Sequence, residues 1–251
     1  MREAAALSTA PRPSASPGGK PLLAIRDLEA WYGESHVLHG MTLDVREGEV
    51  VTLLGRNGAG KTTTLKAIIG IMAKRRGSVV FDGQETIAMP SRLIAKLGLG
   101  YVPEERGIFA SLSVLENLTL PPQIKPGGMT NEQIYQLFPN LKERSGSQGT
   151  KLSGGEQQML AIGRILRTGA KFLLLDEPTE GLAPVIIQQI GRTIERLKGS
   201  GYTIILVEQN FRFAQTVADR HYIVEQGRVI DMIPNAELDR NIDKLHRYLG
   251  V

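Results

Sequence analysis

The stretch that decides the fold is residues 50–62, which read VVTLLGRNGAGKT. The first five are a short and almost entirely apolar run, typical of a strand buried on both faces. The run ends at Gly55, and apolar residues with helical spacing follow Lys61 at Leu65 and Ile68. The stretch therefore predicts a buried strand, a glycine-rich turn and a helix in immediate succession.

The turn fits the pattern G-x-x-x-x-G-K-[ST] at every fixed position, and this pattern is typical of phosphate-binding loops. Glycines let the backbone turn tightly, so that successive N–H groups converge on phosphate oxygens beside the positive end of the helix. We expect the Lys61 ammonium to reach the β- and γ-phosphates and the Thr62 hydroxyl to ligate Mg²⁺. A plain glycine-rich turn is the alternative, but the flanking strand and helix favour binding. The candidate binding residues are Gly55, Arg56, Asn57, Gly58, Ala59, Gly60, Lys61, Thr62 and Thr63.

A second apolar run, residues 172–175, ends in two carboxylates, Asp176 and Glu177. Consecutive strand residues point to opposite faces, which predicts two different roles. Asp176 is the candidate Mg²⁺ ligand, through water, and Glu177 is the candidate general base that polarises an attacking water. A strand-closing acidic turn is the alternative, and the phosphate loop upstream favours the catalytic interpretation.

The remaining segments predict an α/β fold around these two strands. Helical spacing prevails from Ser113 to about Gly169 and again over residues 184–198, and Gln226-Gly227 predicts a hairpin turn. Buried strands that alternate with helices predict a mainly parallel sheet with a helical insert. The predicted strands are residues 22–25, 41–45, 50–54, 78–81, 172–175, 202–207, 221–224 and 228–231.

Composition excludes several classes of protein. The 251 residues are 41% hydrophobic and 22% charged, as in ordinary globular domains, and no run approaches the roughly 18 apolar residues of a membrane span. Half of the net charge of +4 comes from the first twenty residues. The small charge of the rest of the chain indicates that it has no nucleic-acid partner. The absence of cysteine excludes disulfides and thiol chemistry. Residues 1–21 are rich in Ala, Ser, Pro and Gly, and we expect a disordered tail there.

A third motif, LSGGEQ, spans residues 152–157. Its serine, Ser153, lies 23 residues before Asp176. Ser153 and Glu156 form a capping-box pattern, and a capped helix start with two glycines is also a phosphate site. With the phosphate loop and the Asp-Glu pair in the same order, this motif resembles the signature of ABC-type ATPases. The resemblance extends over residues 22–251.

The resemblance implies a P-loop, RecA-like core with a mainly parallel sheet, an N-terminal antiparallel β subdomain and a helical insert near residues 105–165 that carries the signature. It also implies an ATP hydrolase that uses ATP and Mg²⁺. In such ATPases, Ser153, Gly154 and Gly155 would complete the nucleotide site of the opposite chain. One chain would then hold two half-sites, and a dimer would sandwich MgATP.

Four further positions acquire a meaning from the resemblance. Tyr32 matches the aromatic residue on which adenine stacks, although core packing is a rival explanation for a single tyrosine. Glu104 stands where most relatives have a glutamine near Mg²⁺, and a carboxylate there could still ligate the metal. Gln209 occupies the usual switch-histidine position, where an amide can bond a γ-phosphate but cannot be protonated as histidine can. Ala183 replaces an aspartate that normally communicates between subunits.

Three strings indicate a subfamily. The segments VPE at 102–104, GLAP at 181–184 and VEQN at 207–210 resemble the ATP-binding subunits of branched-chain amino acid importers. Importers of urea or short amides are close alternatives. A non-transport ABC ATPase of the cluster-assembly type and a regulatory subunit with little turnover are further alternatives.

The importer hypothesis implies integral membrane permease subunits as partners and a peripheral place on the cytoplasmic face of the plasma membrane. We expect residues 105–118 to dock on the permease through Arg106, Ile108 and Phe109, unless Phe109 and Leu112 are core residues of the insert. The resemblance favours a second, related ATP-binding chain as the working partner. The isolated chain could self-pair with ATP.

Overall fold

The computed structural model describes residues 20–249, so the expected tail lies almost entirely outside the described part of the chain. Within that part, the strands form one sheet of four and one of six. The strands are β1 (Leu23–Tyr32), β2 (Ser35–Val45), β3 (Val50–Leu54), β4 (Lys74–Phe81), β5 (Gln84–Glu85), β6 (Leu99–Val102), β7 (Phe172–Asp176), β8 (Thr203–Glu208), β9 (Arg220–Glu225) and β10 (Arg228–Pro234).

The helices lie between and after these strands. No helix among residues 20–249 is long and apolar enough to cross a bilayer. The helices are α1 (Lys61–Ile68), α2 (Ser91–Lys96), α3 (Val114–Thr119), α4 (Asn131–Leu137), α5 (Pro139–Glu143), α6 (Gly154–Arg167), α7 (Pro184–Gly199), α8 (Phe211–Val217) and α9 (Ile242–Leu249).

The six-stranded sheet has the order β10-β9-β3-β8-β7-β6, and only its β9–β10 hairpin pairs in the antiparallel sense. Every residue of β3, β7 and β8 is buried, which agrees with their continuous apolar runs. Because β3, β6, β7 and β8 are parallel, their carboxyl ends meet at one edge. That edge carries the loops after each of these strands, and with them the predicted site.

The four-stranded sheet has the order β2-β1-β4-β5 and is antiparallel throughout. Along β1 the side chains of Leu23, Ile25, Leu28 and Ala30 are buried, while residues between them reach the surface. One face therefore packs on the core and the other faces solvent. Four helices, α3 to α6, follow β6 and precede β7, and their apolar side chains pack with the parallel sheet in a second core. The predicted α/β class, antiparallel N-terminal sheet and helical insert are confirmed.

Several strand boundaries differ from the prediction. β1, β2 and β4 are longer than predicted. One face of this antiparallel sheet is exposed to solvent, so its strands include polar residues that apolar patterning does not reveal. The sequence did not predict β6, a four-residue edge strand that contains Gly100. A Cβ on Gly100 would lie 2.2 Å from Cγ2 of Ile165, so α6 packs too close for any side chain.

Candidate functional site

A cleft of about 490 Å³ opens at the carboxyl edge of the parallel sheet. Most of its walls come from the phosphate loop and from the loops after β6, β7 and β8. Among the residues predicted for the chain's own half-site, Gly55, Arg56, Ala59 and Asp176 do not line it. The lining residues are Tyr32, Val37, Asn57, Gly58, Gly60, Lys61, Thr62, Thr63, Glu104, Glu177, Glu180 and Gln209.

The phosphate loop depends on glycine at positions of close approach. Gly60 has a φ of 104°, and a Cβ there would lie 2.9 Å from Cδ2 of Leu38 and 3.2 Å from Cα of Gly227. A Cβ on Gly55 would lie 2.3 Å from the carbonyl oxygen of Val224. The loop is therefore pressed against β2 and the β9–β10 hairpin, and α1 begins directly after it at Lys61. The predicted strand, turn and helix are confirmed.

Lys61 is buried, and its ammonium is surrounded by acceptors. It donates to the carbonyl oxygens of Gly55 at 2.9 Å and Arg56 at 3.2 Å, and lies 3.5 Å from Oε1 of Glu177. A buried ammonium is costly unless it is paired, and these contacts satisfy it within the chain. The same charge lies at the base of the cleft, where a phosphate group would meet it.

Thr62 and Asp176 meet beside Lys61. The Thr62 hydroxyl donates to Oδ1 of Asp176 at 2.9 Å, and the Tyr101 hydroxyl donates to Oδ2 at 3.0 Å. Burial raises the pKa of Asp176, and these two hydrogen bonds oppose that effect. Tyr101 was missed by the sequence interpretation because it lies in β6, the strand that was not predicted. Its position before Val102-Pro103-Glu104 was the available signal.

The donor set fits a magnesium ion that shares its ligands with a nucleotide. A hydroxyl and a carboxylate are hard oxygen ligands, and Mg²⁺ ordinarily takes only one or two protein carboxylates with phosphates and water. Residues 20–249 contain no group of three or more His, Asp or Glu arranged to hold a metal ion by itself. Thr62, Glu104 and Asp176 would therefore supply part of a coordination shell that substrate oxygens complete.

The position of Glu177 differs from the expectation that it and Asp176 are consecutive strand residues on opposite faces. It lies after the end of β7 with a φ of 44°, so the alternation of strand side chains does not apply to it. Its backbone N–H donates to the Val207 carbonyl at 3.0 Å, and Nε2 of Gln209 donates to its Oε2 at 2.6 Å. The carboxylate therefore lines the cleft next to Lys61, and a left-handed turn rather than strand alternation places it there.

Glu180 is a cleft residue that the sequence interpretation missed. It lines the cleft together with Glu104 and Glu177. Although Glu180 is exposed, desolvation at the cleft wall, followed by repulsion from Glu177 and Glu104, raises its pKa. A third carboxylate in the loop that follows Asp176 was the signal that could have identified it.

Comparisons with known proteins identify the family. The sequence profile described as "ABC transporter" matches residues 38–180, which is more than half of the chain. The chain belongs to the ABC transporter family. It is accordingly an ATP-binding protein and an ATP hydrolase.

Its relatives in this family match it over nearly their whole length. The chain is 43% identical to the high-affinity branched-chain amino acid transport ATP-binding protein BraG of Pseudomonas aeruginosa, over 91% of this chain and 100% of that protein. It is 37% identical to the lipopolysaccharide export ATP-binding protein LptB of Escherichia coli, over 91% of this chain and 97% of that protein. A dimeric ATP-binding cassette solved in a post-hydrolysis state with ADP and Pi superposes with a TM-score of 0.75 at 25% identity. The superposition covers 85% of this chain and 98% of that chain.

In this ABC ATPase, Tyr32 is available for stacking. Its side chain is 49% exposed and lines the cleft, so the rival explanation of core packing is wrong. The neighbouring Trp31 faces elsewhere, and its ring stacks on His36 at a centroid distance of 4.3 Å. Lys74 lies 5.5 Å from the same ring.

The signature motif caps α6 as predicted. The Ser153 hydroxyl accepts from the Glu156 N–H at 3.3 Å, and Oε2 of Glu156 accepts from the Ser153 N–H at 2.7 Å. Ser153, Gly154 and Gly155 do not line the cleft of their own chain. The ABC ATPase thus presents its capped helix start on a surface separate from its Lys61 site.

The predicted docking segment is tied to the signature helix. Nη1 of Arg106 donates to Oε1 of Gln157 at 3.0 Å, and the Arg164 guanidinium lies 4.6 Å from the Phe109 ring centre. Phe109 is 43% exposed, so the alternative that it is a core residue is wrong; Leu112 is half-buried. Ile108 packs on the insert core. Phe109 therefore remains open to a partner, whereas Arg106 lies against α6.

Proposed function

We propose that this chain forms a dimer that sandwiches MgATP and drives the import of branched-chain amino acids. The observation that carries the proposal is the cleft itself. It gathers the phosphate loop, Glu177 and Gln209 at one sheet edge while the signature motif lies elsewhere on the chain. A complete site then needs the signature of a second chain.

The contacts around Glu177 support its role as general base. Lys61 and Gln209 both hold its carboxylate, at 3.5 and 2.6 Å. ATP phosphates would compete for the Lys61 ammonium because they carry more charge than one carboxylate. Glu177 would then be free to accept a proton from a water, with Gln209 orienting the water or the γ-phosphate by hydrogen bonds.

The remaining polar groups have complementary roles. Thr62, Asp176 and Glu104 would hold Mg²⁺, which supplies charge neutralisation on the phosphates when bound. The loop N–H groups and the start of α1 would bind the phosphates. Tyr32 would stack on adenine.

Relatives support the choice of substrate. The likeness to BraG covers the entire length of that protein, which is named for branched-chain amino acid transport. The likeness to LptB, named for lipopolysaccharide export, is weaker at 37% but nearly as long, so export is the second candidate. An importer subunit of this kind would bind permease subunits at the cytoplasmic face of the membrane, with Phe109 at the contact, and would pair with a related ATP-binding chain in vivo.

The first experiment compares wild type with Glu177→Gln for ATP turnover and for size-exclusion elution with and without MgATP. We expect wild type to hydrolyse ATP, and the variant to lose about 10²-fold or more of kcat yet elute as a dimer with nucleotide, because only the base is lost. Glu195→Gln, an exposed carboxylate on α7, is the control and should match wild type. Normal turnover by Glu177→Gln would contradict the assignment of the base.

The substrate is tested by uptake in the source cells. Depletion of this chain should lower the uptake of radiolabelled leucine and leave urea uptake unchanged. Normal leucine uptake together with a defect in lipopolysaccharide export would support the second candidate.

A further inference from the structure

Glu208 is a buried carboxylate for which the reaction proposed above has no use. It ends β8, is 3% exposed and does not line the cleft. The Thr179 hydroxyl, itself in a residue only 5% exposed, donates to its Oε1 at 2.8 Å. A buried carboxylate is costly, and an unneeded one would be expected to be replaced by an apolar residue or an amide.

Burial is the dominant influence on Glu208. It raises the pKa of the carboxyl to about 7 even though the Thr179 hydroxyl and the backbone amides of Asn210 and Thr179 act to lower it. Glu177 is the charged group whose repulsion acts on it. Groups on the loops after β7 and β8 thus act on one carboxylate, and the Thr179 hydroxyl donates to it directly.

These two loops carry the residues that would activate water. Thr179 lies two residues after Glu177, and Glu208 directly precedes Gln209. The Glu177 N–H donates to the Val207 carbonyl at 3.0 Å, and Gln209 reaches Oε2 of Glu177 at 2.6 Å. The Glu208–Thr179 bond is the fully buried member of this set.

We propose that Glu208 and Thr179 are positioning residues, and that their hydrogen bond fixes Glu177 and Gln209 relative to each other for water activation. The proposal rests on the role of Glu177 given above. Glu177 must exchange its contacts with Lys61 and Gln209 when nucleotide binds, so those contacts cannot hold its backbone in place. The buried bond makes no contact in the cleft and can persist throughout the cycle.

The test measures kcat and KM for ATP, with the Kd of a fluorescent ATP analogue, for Thr179→Val and Thr179→Ser. Val removes the hydroxyl at nearly constant volume, and Ser keeps it. We expect kcat of Thr179→Val to fall about 10- to 100-fold, because small misplacements of reacting groups cost that much. KM and Kd should stay within about twofold, since phosphate binding is unaffected. Thr179→Ser should restore most of kcat.

Thr193→Val is the matched control. Thr193 is also buried, at 3%, and its hydroxyl donates to the Gln189 carbonyl at 2.9 Å on α7, away from the cleft. It should lower the melting temperature without changing kcat. Should it lower kcat as much as Thr179→Val does, the effect is general destabilisation and the proposal is overturned.

Glu208→Met, which removes both acceptor oxygens, provides the second variant. It should lower kcat to a similar degree, and the double variant Thr179→Val/Glu208→Met should be no slower than the worse single variant, because both remove one bond. Wild-type kcat in Thr179→Val would overturn the positioning role. Failure of the function itself gives a different result, since wild type would then not hydrolyse ATP and Glu177→Gln would not dimerise.

Discussion

At the scale of single residues, exposure separates a binding role from a packing role. Trp31 and Tyr32 are neighbours with similar chemistry, and local sequence cannot distinguish them. The Trp31 ring is covered by His36 on the outer face of the antiparallel sheet, whereas Tyr32 reaches the cleft at 49% exposure. A half-exposed tyrosine beside a phosphate loop is placed to stack on a base.

Tyr32→Ala should therefore weaken ATP binding by about tenfold, since stacking of a base on an aromatic ring contributes roughly 1–3 kcal/mol. Tyr32→Phe should retain binding, because the ring face is unchanged. Equilibrium titration with a fluorescent ATP analogue measures both. An unchanged Kd for Tyr32→Ala would remove Tyr32 from the site.

At the scale of elements, the starts of α3 and α6 share one local structure. Ser113 with Glu116 before α3, and Ser153 with Glu156 before α6, are capping boxes with almost the same distances. Only the second carries two glycines at the start of the helix. Capping alone therefore cannot explain why the signature motif has two glycines after its serine.

We expect Ser113→Arg and Ser153→Arg to cost about 1 kcal/mol each in unfolding free energy, because each loses a cap. When each is combined with Glu177→Gln, only Ser153→Arg should abolish the ATP-dependent dimer. The monomer should still bind ATP. Size-exclusion elution with MgATP distinguishes the two variants. A normal dimer with Ser153→Arg would refute the proposed role of the signature in the opposite site.

At the scale of the whole molecule, one arginine joins the two sheets. Arg220 on β9 donates through Nε and Nη2 to both carboxylate oxygens of Glu49, at 2.6 and 2.9 Å. Nη2 also donates to the Asp44 carbonyl on β2 at 2.8 Å, and Nη1 to the Tyr222 hydroxyl at 2.6 Å. The side chain is 7% exposed, so water cannot replace these partners.

Arg220→Gln should lower the free energy of unfolding by about 3–5 kcal/mol, because it leaves carboxylates in a buried pair without their cation. Lys198→Gln breaks an ion pair with Asp219 that is 34% and 39% exposed, and it should cost at most about 1 kcal/mol. Urea unfolding of both variants measures the difference. Equal losses would mean that Arg220 does not connect the sheets energetically.

The sequence by itself determined the parts of this protein whose signals are local. The buried strands β3, β7 and β8 are continuous apolar runs, and the phosphate loop and the α6 cap are short motifs that specify their own backbone. For the same reason the family could be identified from three motifs in order. The extended polar strands of the antiparallel sheet and the glycine-containing β6 lack such signals, and they were underestimated or missed.

Tertiary structure alone decided which distant residues meet. Thr62 and Asp176 are 114 positions apart and lie within hydrogen-bonding distance because parallel strands end at one edge. The same edge brings Tyr101 to Asp176, Gln209 to Glu177 and Glu208 to Thr179. Apolar patterning reports whether a residue faces a core, but it contains no information on strand order, and strand order sets these pairings.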